Sequence, residues 1–314
     1  MTISLDTPYL QFTLSPETGT WSLHGAQRDS PFIEDAWMQV SYRTPLSTLL
    51  RSGKRQFRSL TKWRNPSIHV TENLTSPHGK LKKIEIETGP DPIGLYFILE
   101  FALAEEFPIF IWRLTIDNRS KYSIEVEQMK MMQAGFFPRR NLLPKPGPLS
   151  VNYNTKPIGY GVARPHPTPG ELAFFSNGWQ SWSFTGTLGP DDVYKNTRLG
   201  FITKPIWFND GTPYPHKPGH FASDMFGVLG DRLHRTGILA GFLSQKQQFG
   251  SLEASTDRFF PALALWANGD QVQLDPGMQM TSDWAIIQFV DIDAPDPLAP
   301  YIDAVTREHN IRST

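Results

Sequence analysis

Apolar and polar residues alternate along most of the chain, which is the pattern of strands with one buried face. Leu10, Phe12 and Leu14 alternate with polar residues, and the turn residues at 15–19 predict a hairpin with 20–23. Residues 95–101 are nearly all apolar, which is typical of a strand buried on both faces. The same reasoning predicts first-half strands at 37–42, 67–73, 81–88, 109–118 and 124–132.

The second half repeats this pattern, with Gly, Pro and Asn between the apolar runs. Asn268-Gly269 lies between 263–267 and 271–274 and is the dipeptide favoured in two-residue hairpin turns, so it predicts a hairpin. Because no long helical pattern interrupts the strands, the sequence predicts an all-β fold, a large antiparallel sandwich. The other strands predicted in this half are 201–208, 220–229, 237–243, 249–254, 259–267 and 278–289.

Two stretches depart from the strand pattern. Residues 138–170 contain eight prolines, which remove backbone donors and disfavour helix, so they predict a long irregular connection. Residues 51–64 are basic around Phe57 and Trp63. This segment is either a solvated loop or a loop that holds Trp63 over a site.

The end of the chain changes period. Leu298, Tyr301, Ile302 and Val305 follow the spacing of an amphipathic helix, and Asp296 stands where it can cap the first turn. We therefore divide the chain into a sandwich domain at 1–295 and a C-terminal connecting helix at 296–314.

Composition narrows the functional classes. The chain has 314 residues, of which 39% are hydrophobic and 12% aromatic, which indicates a globular protein with a sizeable core. The net charge is -1 and no basic stripe is present, so no nucleic-acid partner is expected. The sequence has no cysteine, no secretory signal and no apolar run long enough to span a membrane. We therefore expect a cytoplasmic protein without a membrane partner.

One segment, residues 174–186, combines five aromatic residues with Asn, Gln and Ser side chains. Core strands rarely combine aromatic with amide and hydroxyl side chains, whereas a sugar site requires both kinds. A pyranose offers an apolar C–H face to an indole and a rim of hydroxyls to polar groups, and such apolar walls with a few placed polar groups are typical of small-molecule pockets. The alternative is a strand end whose tryptophans are half buried and whose polar groups satisfy a turn.

The sequence predicts no catalytic residue, no metal site and no cofactor. Glycoside hydrolysis needs two carboxylates, and the candidates near the aromatic segment stand in no recognisable spacing and fit turn or cap positions. No nucleotide-binding or nucleophile-elbow motif occurs. His216 and His220 are separated by Pro218-Gly219, which forbids the helix that would let them share a metal. The four carboxylate candidates are Asp191, Asp192, Asp224 and Asp257.

Three segments resemble, in the same order, segments from the N-terminal region of glycoside hydrolase family 36, the α-galactosidase family. The most specific is Asn-Gly-Trp-Gln-Ser-Trp at 177–182, and 221–229 and 241–250 support it. Residues 296–310 resemble the helix that leads into the catalytic barrel of that family. The first half of the chain resembles the family only in its strand pattern.

The resemblance implies a large N-terminal β-supersandwich that packs against a (β/α)₈ barrel. In that family the barrel holds both aspartates of a retaining mechanism, and no position of this chain matches those motifs. A barrel needs about 250 residues of alternating strand and helix, and this chain has no such alternation. The resemblance therefore implies a non-catalytic domain, inactive alone.

The resemblance also implies a sugar-lining role for the aromatic segment, which we carry onto Trp179 and Trp182. The predicted substrate-binding residues are these two with Asn177, Gln180 and Asp224, and the expected ligand is an α-galactoside or related carbohydrate. The expected protein partners are the catalytic barrel and further copies in a homo-oligomer.

Two other functions stay open on the sequence alone. The chain could be a stand-alone carbohydrate-binding or interaction sandwich, or a complete small enzyme that uses Asp224 or Asp257. A domain that docks onto a barrel should carry a large apolar patch beside its C-terminal helix, whereas a free module should not.

Overall fold

The computed structural model describes residues 2–44, 56–60, 63, 65–135, 161–179, 183–193, 212 and 215–311. Two large antiparallel sheets and one C-terminal helix make up the regular structure of this part of the chain. The predicted all-β fold, a large antiparallel sandwich with a C-terminal helix, is therefore confirmed. The division at residue 295 stays a prediction.

The first ten strands are β1 (Ile3–Asp6), β2 (Leu10–Ser15), β3 (Thr20–Gly25), β4 (Phe32–Arg43), β5 (Gln56–Ser59), β6 (Ser67–Ser76), β7 (Gly79–Glu87), β8 (Leu95–Ala104), β9 (Phe110–Asn118) and β10 (Ile124–Ala134). The following ten are β11 (Val162–Arg164), β12 (Leu172–Ser176), β13 (Gly186–Leu188), β14 (His220–Asp224), β15 (Phe226–Asp231), β16 (Thr236–Phe242), β17 (Gly250–Ser255), β18 (Ala262–Leu274), β19 (Gln279–Thr281) and β20 (Ala285–Asp291). The helix α1 is Ala299–Glu308.

The strands form two sheets whose order mixes the two halves of the chain. Sheet I has the order β1-β2-β3-β4-β10-β18-β17-β14, with β5 and β11 each also paired to β4. Sheet II has the order β13-β12-β15-β16-β20-β9-β8-β7-β6, with β19 paired to β9. Because first-half and second-half strands pair within each sheet, both halves build one core.

The main core lies between the sheets and centres on a group of aromatic rings. Phe12 stacks on Phe110 at 5.0 Å between ring centroids, and Trp21 lies 5.6 Å from Trp112. The Trp112 indole N–H donates to the Met131 carbonyl at 2.9 Å, which satisfies the one polar atom of that buried ring. These rings come from β2, β3 and β9. The apolar residues of the alternating pattern therefore do face the core.

A second apolar cluster covers the outer face of sheet II, where α1 packs. Tyr301 and Ala304 are the buried residues of the helix, and the Tyr301 hydroxyl donates to the Phe242 carbonyl at 2.7 Å. The N-cap residue is Leu298, which makes no side-chain cap, so Asp296 is not the N-cap. Its Oδ1 does accept from the backbone N–H groups of Leu298 and Ala299, at 3.2 and 3.1 Å. Ile302, however, is 54% exposed, so it lies outside the buried stripe. No helix in the described part of the chain is long and apolar enough to cross a membrane.

The hairpin predicted at Asn268-Gly269 is wrong. Strand β18 continues through this dipeptide, and the extra residues form a bulge opposite β10, between the pairs Gln128–Asn268 and Val126–Val272. The left-handed residues are the two that follow, Asp270 and Gln271. A Cβ on Gly269 would lie 2.4 Å from the Val126 carbonyl oxygen, so glycine permits the close approach of the two strands.

The basic segment 51–64 is not simply a solvated loop. Its described part contains β5, where the Arg58 guanidinium donates to the Tyr42 hydroxyl at 3.1 Å and pairs with Asp91 at 3.2 Å. Trp63 packs against the main core and donates to the Leu60 carbonyl at 2.8 Å. Its ring therefore serves packing, and the alternative that Trp63 lies over a site is not supported. Most of the proline-rich connection lies outside the described residues, and its described end contains β11.

Candidate functional site

The aromatic segment lies at a corner where one strand leaves sheet I and enters sheet II. Strand β14 pairs with β17 in sheet I, and the next strand, β15, pairs with β12 and β16 in sheet II. Met225 makes the switch in a left-handed conformation, with φ at 66°. Its N–H donates to the Gly250 carbonyl at 2.9 Å, and its carbonyl accepts from the Phe242 N–H at 3.0 Å. Both backbone groups of this unusual residue are thus satisfied within the corner.

Asn177 ties the aromatic segment to this corner. Its backbone N–H donates to Ser223 Oγ at 2.7 Å, and its carbonyl accepts from the Asp224 N–H at 2.8 Å. Its side-chain amide donates to the Asp224 carbonyl at 3.0 Å. Among the described residues, no hydrogen bond reaches the Asn177 side-chain oxygen.

Trp179 is the exposed aromatic residue of this site. The residue is 50% exposed and its ring meets the Phe249 ring edge-on, at 6.1 Å and 88°. The loop that carries it is closed at its base, where the Gly178 N–H donates to Thr185 Oγ1 at 3.1 Å. A Cβ on Gly178 would lie 2.2 Å from Ser183 Cβ, so the two sides of the loop approach more closely than any other residue permits.

Asp224 lies beneath this surface and is fully buried. Its Oδ1 accepts from the Thr212 hydroxyl at 2.8 Å, and Thr212 is in turn 2.5 Å from Ser251 Oγ. The Asn268 amide donates to Ser251 Oγ at 2.9 Å and to the Phe249 carbonyl at 3.0 Å. This polar network therefore reaches from the corner to the residue against which Trp179 packs. Because Asp224 is buried, it holds the hydrogen-bond network beneath the exposed surface. Its role in substrate binding remains a prediction.

The other candidate carboxylates occupy turns, as their sequence context indicates. Asp192 Oδ2 accepts from the Gly189 N–H at 2.7 Å, and Asp257 Oδ1 accepts from the Phe259 N–H at 2.9 Å. Asp257 lies near the start of β14, and Asp224 lies at its end. Five extended residues span about 13 Å. That exceeds the roughly 5.5 Å between the carboxyl groups of a retaining glycosidase.

Part of the predicted site lies outside the described residues. Gln180, Trp182 and the predicted strand at 201–208 belong to that part, so their roles stay predictions. Asn177, Trp179 and Asp224 do lie together at the corner. The supporting residues Thr212 and Ser251 had no signal in the sequence, because each is an ordinary polar residue whose neighbours come from distant strands. Asn268 was singled out only as part of a hairpin turn, which gave no hint of its hydrogen bond to Ser251.

A second surface feature is an apolar groove on the outer face of sheet II, beside the N-terminal end of α1. It encloses about 410 Å³. Residues of the four strands β12, β13, β15 and β20 and of the segment before the helix line it, together with Arg232 and Arg235. The apolar members are Ala173, Phe175, Val228, Val290, Ile292, Pro297 and Leu298. The groove lies beside the C-terminal helix, where an apolar patch was expected for a domain that docks onto a barrel; whether a partner covers it stays a prediction.

Comparisons with known proteins identify the fold. No protein-family model matches the chain, and no curated protein matches its sequence. Among solved structures, a family 36 α-galactosidase from Geobacillus stearothermophilus in complex with 1-deoxygalactonojirimycin matches with a TM-score of 0.53 at 10% identity. The galactosidase domain of an α-galactosidase–sucrose kinase matches with a TM-score of 0.56 at 9% identity. An α-N-acetylgalactosaminidase from Bifidobacterium bifidum, in complex with GalNAc, matches with a TM-score of 0.55 at 6% identity.

The coverage of these matches is unequal. They take in 93%, 92% and 98% of this chain but 41%, 40% and 39% of the matched chains. The chain thus spans about two fifths of the length of the structures that it matches. This confirms the predicted resemblance in fold and is consistent with the N-terminal region of these enzymes alone. At these identities the likeness shows the fold and not the activity.

Proposed function

We propose that this chain is the N-terminal non-catalytic domain of an α-galactosidase-like retaining glycosidase. In this role it supports a catalytic barrel, lines the outer wall of the sugar pocket and contributes to a cytoplasmic homo-oligomer. The observation that carries the proposal is the coverage, because nearly all of this chain matches only about two fifths of each enzyme. The remaining three fifths of such an enzyme would supply the catalytic residues.

The apolar groove supports a docked neighbour. Phe175, Val228 and Val290 present apolar side chains on the outer face of sheet II, directly beside α1. Apolar grooves on sheet faces are expensive to leave in water, and contiguous apolar patches mark interaction surfaces.

The corner supports the sugar-lining role. Trp179 offers an exposed aromatic face, and Asn177 offers a side-chain oxygen beside it. An indole for the pyranose C–H face and an amide for a hydroxyl are the two elements that sugar recognition needs. Two of the matched enzymes are in complex with 1-deoxygalactonojirimycin and with GalNAc, so an α-galactoside or related sugar is the ligand class that we propose.

The same corner also favours a second candidate, a stand-alone carbohydrate-binding sandwich. Trp179 and its support belong entirely to this chain, so the corner could bind a sugar without another domain. The two candidates differ in what covers the apolar groove. A docked domain needs that surface, whereas a free module has no use for it.

Reading the native gene beyond the codon for Thr314 tests the proposal directly. The expected result is a continuing frame of about 250 residues or more of alternating strand and helix. A stop codon followed by no such frame would contradict the proposal and favour the stand-alone module.

A dye experiment tests the groove itself. The isolated chain should bind an apolar dye such as anilinonaphthalene sulfonate, and Ile292→Gln should reduce that binding because it places an amide in the groove. Ile302→Gln is the matched control, since Ile302 is 54% exposed on the helix and does not line the groove. Equal dye binding by both variants would exclude this groove as the apolar surface.

A further inference from the structure

An open cleft lies at the other end of β14, away from the Trp179 corner. It encloses about 520 Å³, which is large enough for a small oligosaccharide or a similar ligand. Its side chains combine two cations, one carboxylate, one imidazole and two phenyl rings. They are Arg164, Lys217, Asp257, His220, Phe259 and Phe260.

The two phenylalanines are unusually exposed for consecutive aromatic residues. Phe259 is 74% exposed and Phe260 is 72% exposed. The turn that presents them is held by Asp257, whose Oδ1 accepts from both of their backbone N–H groups, at 2.9 and 3.1 Å. The rings therefore do not serve the core, and their backbone is fixed by the adjacent carboxylate. Adjacent exposed apolar rings at a cleft mark a surface that receives a ligand.

The cations in this cleft make no ion pair within the part of the chain that the structure describes. Neither Arg164 nor Lys217 forms a salt bridge with another of the described residues, although the described part of the chain pairs most of its arginines elsewhere. Arg258 adds a further exposed positive charge on the phenylalanine turn. Burial, with a smaller effect of Lys217, holds the pKa of His220 below its ordinary value, so this ring is mostly neutral at pH 7. The cleft is therefore net positive.

We propose that this cleft binds an acidic sugar, whose anionic group pairs with Arg164 and Lys217 and whose ring stacks on Phe259 or Phe260. A guanidinium and an ammonium recognise carboxylate and phosphate alike, so the shared chemistry is a sugar ring with one anionic group. The aromatic faces distinguish this ligand from a free inorganic anion. The cleft shares no residue with the corner, so acidic-sugar binding stands or fails independently of the function proposed above.

Calorimetry on the full chain carrying Trp179→Ala, at low and at physiological salt, tests the ligand class, because this variant removes the galactose site proposed at the corner. The probes are digalacturonate, galactose 6-phosphate and neutral digalactose. At least one acidic probe should bind one site per chain about tenfold more tightly than the neutral sugar, and this preference should weaken with salt. The tighter acid identifies whether the anionic group is a carboxylate or a phosphate. The proposal is overturned if neither acid binds, or if neutral digalactose binds as tightly.

Variants locate the binding. Arg164→Gln and Lys217→Gln should each weaken the acidic probe about tenfold, as loss of one charged hydrogen bond predicts. The double variant Phe259→Ala/Phe260→Ala should weaken it by a similar factor without unfolding, because both rings are exposed. Arg232→Gln and Leu233→Ala are matched controls at an exposed cation and an exposed apolar residue outside the cleft. Unchanged affinity in the cleft variants, or equal loss in the controls, would overturn the assignment.

Discussion

The two ends of β14 differ sharply although only three residues separate His220 from Asp224. At the Asp224 end, side chains are buried and hydrogen-bonded to one another, and one exposed ring, Trp179, stands above them. At the His220 end, cations and two phenyl rings line an open cleft. The Asp224 end is therefore held in one arrangement by hydrogen bonds, whereas the His220 end presents charged and apolar side chains to a ligand.

The difference follows from where the strand goes. At its end, β14 switches sheets through Met225, so backbone groups from both sheets converge and must be satisfied in one small volume. At its start the strand makes no such switch, and β17 is the one strand with which it pairs among the described residues. A converging end favours a pre-organised site, and an open end favours an adaptable one. Four variants would break or sharpen this comparison.

The largest expected effect is that of Asp224→Ala. Removing this buried carboxyl group leaves the Thr212 hydroxyl without its acceptor and leaves space at the corner. The free energy of unfolding should fall by about 3 kcal/mol, measured by urea denaturation. Asp257→Ala is the control at the open end and should cost less than about 1 kcal/mol, because this residue is exposed. Equal losses would show that the two ends do not differ in rigidity.

Gly178→Ala should have the next largest effect. Its new Cβ would lie 2.2 Å from Ser183 Cβ and 2.9 Å from the Phe184 carbonyl oxygen, so the loop that carries Trp179 must shift. We expect a loss of about 2 kcal/mol in the free energy of unfolding. The control is Gly189→Ala, where the nearest atom, Asp192 Oδ2, would lie 3.6 Å away. If both variants have the same free energy of unfolding as the wild type, the loop accommodates a Cβ at residue 178 more easily than these contacts indicate.

Much of the fold could be predicted from the sequence because its signals are local. Alternation in β2 and the apolar run of β8 depend on which face of a strand is buried, and that follows from neighbouring residues. The helix was predicted for the same reason, and Tyr301 packs as its spacing indicated. Ile302 does not pack against the sheet, because the buried face of this short helix is narrower than the spacing of its apolar residues predicted.

The rest could not be predicted because it depends on contacts between distant strands. Residues 220–229 read as one strand, yet the left-handed Met225 sends the two parts into different sheets. Asn268-Gly269 carried a strong hairpin signal, but pairing with β10 turned it into a bulge. Likewise, a turn position was the simplest interpretation of Asp224. Its burial depends on Thr212 and Ser251, which no local pattern connects to it.

The third variant, Trp179→Ala, tests whether the fixed end uses its exposed ring. Because the residue is half exposed, its loss should change the free energy of unfolding little, by less than about 1 kcal/mol. If the corner binds galactose as proposed, the dissociation constant should rise about tenfold, which calorimetry would show. Tyr9→Ala is the control, as Tyr9 is another exposed aromatic residue, at 43%. A tryptophan variant that binds galactose as the wild type does would remove Trp179 from the site.

The smallest expected effect lies at the open end and concerns pH. Burial lowers the pKa of His220 from 6.5, with a smaller contribution from the Lys217 ammonium, while Asp257 acts in the opposite direction. Between the lowered pKa and 6.5 the unfolded chain holds the additional proton, so the free energy of unfolding falls as the pH drops below about 6.5. Above that value the residue contributes no pH dependence.

His220→Gln should therefore flatten the pH dependence of unfolding just below pH 6.5, measured by urea denaturation at a series of pH values. The carboxyl groups with lowered pKa, such as Asp231, lose their contribution only at more acidic pH, so the two effects separate. His216→Gln is the control, because it removes an exposed imidazole four residues before His220. Equal flattening by both variants would mean that the burial of His220 does not cause this pH dependence. The His220 end of β14 would then be more solvated than the geometry of the cleft indicates.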